Sequence, residues 1–148
     1  MAKDAFTEEQ QQKIREAIQE AESNTSGEIK VHIENHCKED AFDRAAYVFE
    51  QLEMHKTEQR NGVLFYLALK DHQFAILGDA GINQKVPKGF WDDISQLMLN
   101  LFKEGKFTEG LAKGVKEAGL QLQAHFPYSQ KGSLNELSDD ISFGKDKK

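Results

Sequence analysis

Six polar side chains in this sequence have the types and placement to do chemistry together: Glu28, Arg60, Asn61, Asp79, Asp92 and Asp93. Each lies at the margin of an apolar run. Three or four carboxylates and an amide held close together repel unless a cation sits among them. Hard oxygen donors of this kind suit calcium, magnesium or manganese better than zinc. Such an ion could in turn polarise a phosphoryl group and lower the pKa of a bound water. Asp79 or Asp93 would then serve as nucleophile or base, and Arg60 would meet the phosphate. A plainer account exists for each residue. Asp92 and Asp93 stabilise a helix dipole from a first turn with or without a metal. Asp79 can satisfy loop amides, and Glu28 at a strand margin can be solvated.

The elements that must position these residues are readable from patterning. Val63 to Leu69 is apolar at every position, which is the pattern of a strand covered on both faces. The polar turn Lys70-Asp71-His72 follows, then a second run, Phe74 to Leu77, ending at Gly78-Asp79. Upstream, Glu28 to Glu34 alternates, with Ile29, Val31 and Ile33 opposite Lys30, His32 and Glu34. That alternation predicts a half-buried strand near a sheet edge.

Four helices are expected. Residues 7–22 form the first, capped by Thr7 with Gln10 completing a capping box. Residues 41–54 form the second, capped by Asp40, with Phe42, Ala45, Ala46, Phe49 and Leu52 inward. Pro87 starts the third, which carries Phe90, Trp91, Ile94, Leu97, Met98, Leu101 and Phe102 and stops at Gly105. Thr108 caps the fourth, with Leu111, Val115, Ala118 and Leu122 inward, and Phe126-Pro127 ends it. Residues 1–127 are expected to form one domain. Residues 128–148 turn polar and read as a mobile tail, from which Leu134, Leu137, Ile141 and Phe143 could dock.

The order α-β-α-β-β-α-α predicts an α/β fold: a small mixed sheet of three or four strands with helices on both faces. A strand–helix–strand unit makes the first two strands parallel, and the short connection makes the third antiparallel to the second. Glu28, Asn61 and Asp79 should therefore converge at one end of the sheet. Asp92 and Asp93 are expected to join the same rim, and carbonyls from Gly78 to Asn83 to supply further oxygens.

Composition narrows the classes. A chain of 148 residues fits one domain and buries roughly 68–70% of its unfolded surface, so its core needs no disulfide or structural metal. The net charge of -6 and the lack of a basic patch argue against nucleic acid. Cys37 is alone, which favours a reducing compartment. No signal-peptide core and no membrane-length apolar run are present, so a cytoplasmic location without membrane insertion is expected.

Other constellations are weaker. Cys37 to Arg44 has six intervening residues where the cysteine-phosphatase loop has five. His32, Glu34 and His36 would lie about 6.6 Å apart in successive pairs on one strand face. That could hold zinc, but such alternation more often marks a solvated face. The acidic spacing from Asp79 to Asp93 does not fit an EF-hand.

Four segments carry a resemblance. Thr25-Ser26-Gly27-Glu28-Ile29-Lys30-Val31, Arg60-Asn61-Gly62-Val63-Leu64, Ile76-Leu77-Gly78-Asp79-Ala80-Gly81-Ile82 and Phe107-Thr108-Glu109-Gly110-Leu111 resemble the TPM domain family in order and spacing. The tail phrase Asn135 to Ile141 resembles its short bacterial members. The resemblance implies a compact α/β sandwich. It also implies divalent-ion binding at an acidic cluster in some members, acid phosphatase activity in some plant members, and membrane-protein assembly or repair in others. Glu28 and Asp79 match the acidic positions, and Asp92 or Asp93 matches less securely. The lack of a leader and an anchor departs from many members. Three functions follow as expectations: a calcium- or magnesium-binding module serving a protein partner, a metal-dependent phosphomonoesterase, or a ligand-free interaction domain.

Overall fold

The computed structural model describes residues 2–127 and 140–144. Helix α1 (Glu8–Glu22) begins where Thr7 and Gln10 form the expected capping box: Gln10 N donates to Thr7 Oγ1 at 3.1 Å, and Thr7 N donates to Gln10 Oε1 at 2.9 Å. Strand β1 (Glu28–Glu34) follows, then helix α2 (Ala41–Gln51), strands β2 (Gly62–Ala68) and β3 (Gln73–Gly78), and helices α3 (Ala80–Asn83), α4 (Phe90–Lys103) and α5 (Phe107–His125). Strand β4 (Ser142–Phe143) closes the described chain.

The sheet has the order β3-β2-β1-β4. β1 and β2 are parallel with Glu28 opposite Gly62, and β2 and β3 are antiparallel with Val63 opposite Gly78. β4 runs parallel to β1, pairing Ser142 with His32. One core lies between the sheet and α1, α4 and α5, built from Ile29, Val31, Ile33, Val63, Phe65 and their helical partners. A second, smaller core lies under α2, around Leu64, Tyr66, Ala68 and Ala75. The mixed sheet with helices on both faces is the expected architecture.

Four local expectations need correction. β1 is an interior strand, because β4 pairs along its outer side, and all seven of its residues are buried. α2 turns Ala41, Ala45, Val48 and Phe49 inward and leaves Phe42 58% exposed. Both stripes have helical spacing, and the sequence alone does not choose between them. Gly78 to Asn83 is not an open loop: Asp79 caps α3, accepting from Ala80 N at 2.7 Å. Finally, Lys106 occupies the cap position of α5, so Thr108 lies inside the helix and caps nothing. The expected docking of Ile141 and Phe143 is present, with Ile141 buried and Phe143 in β4. Leu134, Leu137 and most of the expected tail lie outside the described residues.

The 59–60 turn presses on α3. Gly81 N donates to Arg60 O at 2.8 Å. A Cβ at Gly81 would stand 2.1 Å from Gln59 O and 2.6 Å from Arg60 O. Both obstacles are backbone atoms, which cannot rotate away. Gly89 has a φ of 84° with nothing within 4 Å, so a side chain there meets only backbone strain. Gly81→Ala should therefore lower urea-unfolding stability by about 3 kcal/mol, the upper end of overpacking costs. Gly89→Ala should lower it by about 1 kcal/mol. Equal losses for the two variants would refute the close packing of α3 on this turn.

Candidate functional site

The register brings Glu28, Asn61 and Asp79 to one end of the sheet, as the topology requires. Glu28 N donates to Asn61 O at 3.4 Å, and Asp79 N donates to Gly62 O at 2.9 Å. All three are buried: Glu28 is 3% exposed, Asn61 1% and Asp79 8%. Their side chains are nonetheless held apart. Glu28 and Asp79 flank Gly62 in one row, two strand spacings or about 9.5 Å apart. Met54 sits over the gap, because a Cβ on Gly62 would lie 3.3 Å from Met54 O and 3.5 Å from Met54 Cε.

Asp79 is already engaged. It accepts from Arg60 Nε at 2.7 Å and from Arg60 Nη2 at 2.9 Å, a two-pronged ion pair. The Arg60 side chain is 52% exposed, so water screens that pair from outside. Asn61 Nδ2 donates to Ser26 Oγ at 3.3 Å, while Asn61 Oδ1 is buried with no donor. A buried carbonyl oxygen without a donor carries a desolvation cost.

Asp92 and Asp93 stand in the first turn of α4. Trp91 Nε1 donates to Asn83 Oδ1 at 2.8 Å, and Asn83 Nδ2 donates to Gly78 O at 2.8 Å. This tie fixes the start of α4 near the end of β3 and leaves both aspartates exposed. Four carbonyls of the 78–83 segment are likewise occupied: Gly78 O by Asn83 Nδ2, Asp79 O by Asn83 N, Ala80 O by Gln84 N, and Ile82 O by Lys85 N and Val86 N. Among the described residues, no group of three or more His, Cys, Asp and Glu side chains is placed to hold a metal ion.

A denser polar cluster lies on the α2 side of β1. Glu34 accepts from Arg44 Nε at 2.8 Å and Nη2 at 3.0 Å, from His32 Nε2 at 3.2 Å, and from the Tyr66 hydroxyl. An ionised carboxylate only accepts, so His32 Nε2 carries a proton. Nδ1 of His32 lies 2.8 Å from Ser142 Oγ, and the rings of His32 and Tyr66 stack with centroids 6.0 Å apart. Burial alone would raise the Glu34 pKa. The hydrogen bonds from His32, Arg44 and Tyr66 outweigh it and hold the carboxyl well below the usual range. Burial, with Glu34 and Cys37 beside it, pushes the Tyr66 phenol far above its usual range. His36 points elsewhere: its Nδ1 meets Asp71 Oδ1 at 3.0 Å, and Cys37 N donates to Asp71 Oδ2 at 2.7 Å. His32, Glu34 and His36 therefore form no zinc clasp. The solvated face that their alternation suggested is a buried one.

The model of the TPM domain matches residues 2–121. The chain belongs to the TPM domain family. The TPM chain is 44% identical to the BA42 protein of the psychrophilic bacterium Bizionia argentinensis, whose NMR structure superposes with a TM-score of 0.86. The match covers 94% of this chain and 95% of that one. The N-terminal domain of a protein from P. gingivalis shares the fold at a TM-score of 0.67 and 19% identity, over 82% of this chain and 78% of that one. No curated protein matches.

The TPM motifs acquire structural roles. In the first, the Thr25 hydroxyl donates to Phe126 O and lies 3.0 Å from Leu122 O, and Gly27 N donates back to Thr25 Oγ1 at 3.0 Å. This holds the end of α5 against the start of β1. In the second and third, Arg60 and Asp79 pair, and Gly81 admits the 59–60 backbone. The alternation of β1 marked His32 and Glu34 but not Arg44, Tyr66 or Ser142, which come from α2, β2 and β4.

Glu34 has a folded pKa below its unfolded value. Its contribution to stability is therefore complete above the unfolded pKa and is lost as pH falls through the acid range. Thermal unfolding should show falling stability below about pH 5. Glu34→Gln should cost about 3 kcal/mol at neutral pH, as for breaking a buried pair, and should flatten that acid slope. An unchanged slope in the variant would show that other carboxylates carry the acid sensitivity.

Proposed function

We propose that this TPM domain is a divalent-cation-binding module, taking calcium or magnesium at the Asn61–Asp79 end of the sheet, with Glu28 on the far side of Gly62. The observation that supports this reading is the buried Asn61 Oδ1, an amide oxygen without a donor beside a strand end that carries buried carboxylates. A hard cation satisfies such an oxygen. The donor set is small, so the ion keeps several waters, as magnesium does with one or two carboxylates. Affinity is then weak, with Kd of about 10⁻⁴–10⁻³ M.

The ion competes with Arg60. The guanidinium is an internal cation on Asp79, and its half-exposed position lets it leave for water when an ion arrives. Asp92 and Asp93 are not needed as ligands. The ion would fix the turn at residues 59–61 against β3 and present a rigid surface to a protein partner. Phe42 and Tyr47, exposed on α2, are large apolar side chains available to such a partner. The phosphomonoesterase reading has less support. It assigned Arg60 to the phosphate, and Arg60 is paired with Asp79.

Titration with calcium and with magnesium tests the module. At ten times Kd, binding to the native state alone raises stability by about 1.4 kcal/mol, a few degrees in melting temperature. Amide shifts should cluster at Asn61 and Asp79. Asp79→Asn should abolish the thermal shift, and Arg60→Gln should strengthen binding by removing the competing charge. A flat melting temperature with no saturable shift at either residue would sink the proposal.

A further inference from the structure

The opposite end of the sheet carries a different chemistry. A cavity of about 570 Å³ opens where β1 and β2 finish, lined by Asn35, Leu69, Lys70, Lys106, Thr108 and Glu109 among others. Ligands of open α/β sheets favour this carboxyl end of parallel strands. The N-terminus of α5, a helix of 19 residues, forms one wall. Its first helical hydrogen bond runs from Gly110 N to Lys106 O, and no side chain caps the amides before it. Such amides and the helix dipole favour negative charge.

A second observation points to a ligand. Thr108 is 9% exposed and lines the cavity, and its hydroxyl has no hydrogen-bond partner among the described residues. The cap role that would have used it belongs to Lys106. The hydroxyl oxygen is not sealed off within the protein, so it is open to an acceptor that enters the cavity. Charge is locally inverted in a chain whose net charge is -6. Lys70 and Lys106 line the cavity, against the single carboxylate of Glu109. Lys106 Nζ lies 3.3 Å from Glu104 Oε2, an exposed pair that an anion can replace.

Beside this cavity is an apolar one of about 430 Å³, walled by Leu67, Phe74, Leu99 and Phe102. The two share Leu69, His72 and Phe107. Lys103 stands at the rim of the second.

We infer that the paired cavities bind a small organic anion. Its oxyanion head meets the α5 amides, the Thr108 hydroxyl and Lys106, and its apolar body fills the space between Phe74, Leu99 and Phe102. Carboxylate and phosphate heads share this chemistry. The site is independent of cation binding at the other end of the sheet.

The full chain is titrated with phenyl phosphate, benzoate, inorganic phosphate and benzyl alcohol, read by the amide resonances of Phe107, Thr108 and Glu109. Phenyl phosphate or benzoate should give saturable shifts there, and the stronger of the two identifies the head. Inorganic phosphate should bind at least tenfold more weakly, for want of an apolar body, and benzyl alcohol should leave these amides unmoved. Thr108→Val, nearly isosteric, should weaken the better ligand about tenfold by removing one hydrogen bond to a charged group. Glu109→Gln should tighten it. If Thr108→Val fails to fold, Lys106→Gln at its exposed position gives the same test by loss of affinity. Wild-type affinity in these two loss variants, equal affinity for inorganic phosphate and phenyl phosphate, or shifts that map elsewhere would each overturn the inference.

Discussion

The parallel pairing of β1 with β2, Glu28 opposite Gly62, is the constraint on which the rest of this structure depends. A parallel pair cannot be closed by a hairpin, so the chain must cross over, and α2 is that crossover. The crossover covers one face of the sheet and leaves the other to α1, α4 and α5. The same register decides which residues meet at each end. At the start of the strands it gathers Glu28, Asn61 and, through the β2–β3 turn, Asp79. At their finish it gathers Asn35, Leu69 and Lys70. A slip of one residue would reverse the face of every β1 side chain. Ile29, Val31 and Ile33 would leave the larger core, and Glu34 would lose Arg44.

That last consequence matters because β1 carries charge into a buried position. An interior strand with Glu28, Lys30, His32 and Glu34 along one face is costly unless each polar group finds partners. Glu34 finds four hydrogen bonds, drawn from His32, Arg44 and Tyr66. Lys30 Nζ donates to Asp140 O at 3.3 Å, and His32 reaches Ser142. The polar face of β1 is thus what docks residues 140–143 and makes β4 possible. A purely apolar face would give that two-residue strand no side-chain specificity. Replacing such a network wholesale with apolar residues can be neutral for stability. Its contribution here is to fix which segment lies beside β1.

Much of the fold was legible because it follows from local rules. The Thr7–Gln10 box, the Asp40 cap and the unbroken apolar run of β2 each state their role within a few residues. The parallel and antiparallel pairings followed from connection length alone. What was not legible depends on distant partners. β1 read as an edge strand because nothing near it in sequence announces β4, more than a hundred residues later. α2 offered two apolar stripes, and only contact with the sheet selects Ala41, Ala45, Val48 and Phe49. Thr108 was a reasonable cap by residue type, but Lys106 N donates to Leu101 O and α5 starts two residues early. At the candidate site, topology placed Glu28, Asn61 and Asp79 at one end correctly. It could not show that Met54 seats over Gly62, or that Trp91 and Asn83 fix the start of α4 with Asp92 and Asp93 in solvent.

The arrangement of charge along the sheet axis follows from these same facts. At the strand-start end, a buried carboxylate needs a positive partner, and the chain supplies Arg60 on a residue with a φ of 52°. The left-handed backbone there is unfavourable for a side-chain-bearing residue. It places Arg60 N against Thr57 O, its carbonyl against Gly81 N and its guanidinium against Asp79. Three interactions offset one strained residue. At the strand-finish end Glu34 has Arg44, and of the cavity lysines Lys106 meets only the exposed carboxylate of Glu104. The α5 dipole points its positive end into a cavity rimmed by lysines, and Glu109 is the one acidic residue lining it. The buried carboxylate at each end is paired from within, and the start of α5 adds its dipole to the second end alone. That asymmetry is set by where α5 begins, which the Thr25 clamp at its far end and Gly105, with a φ of 77°, jointly determine.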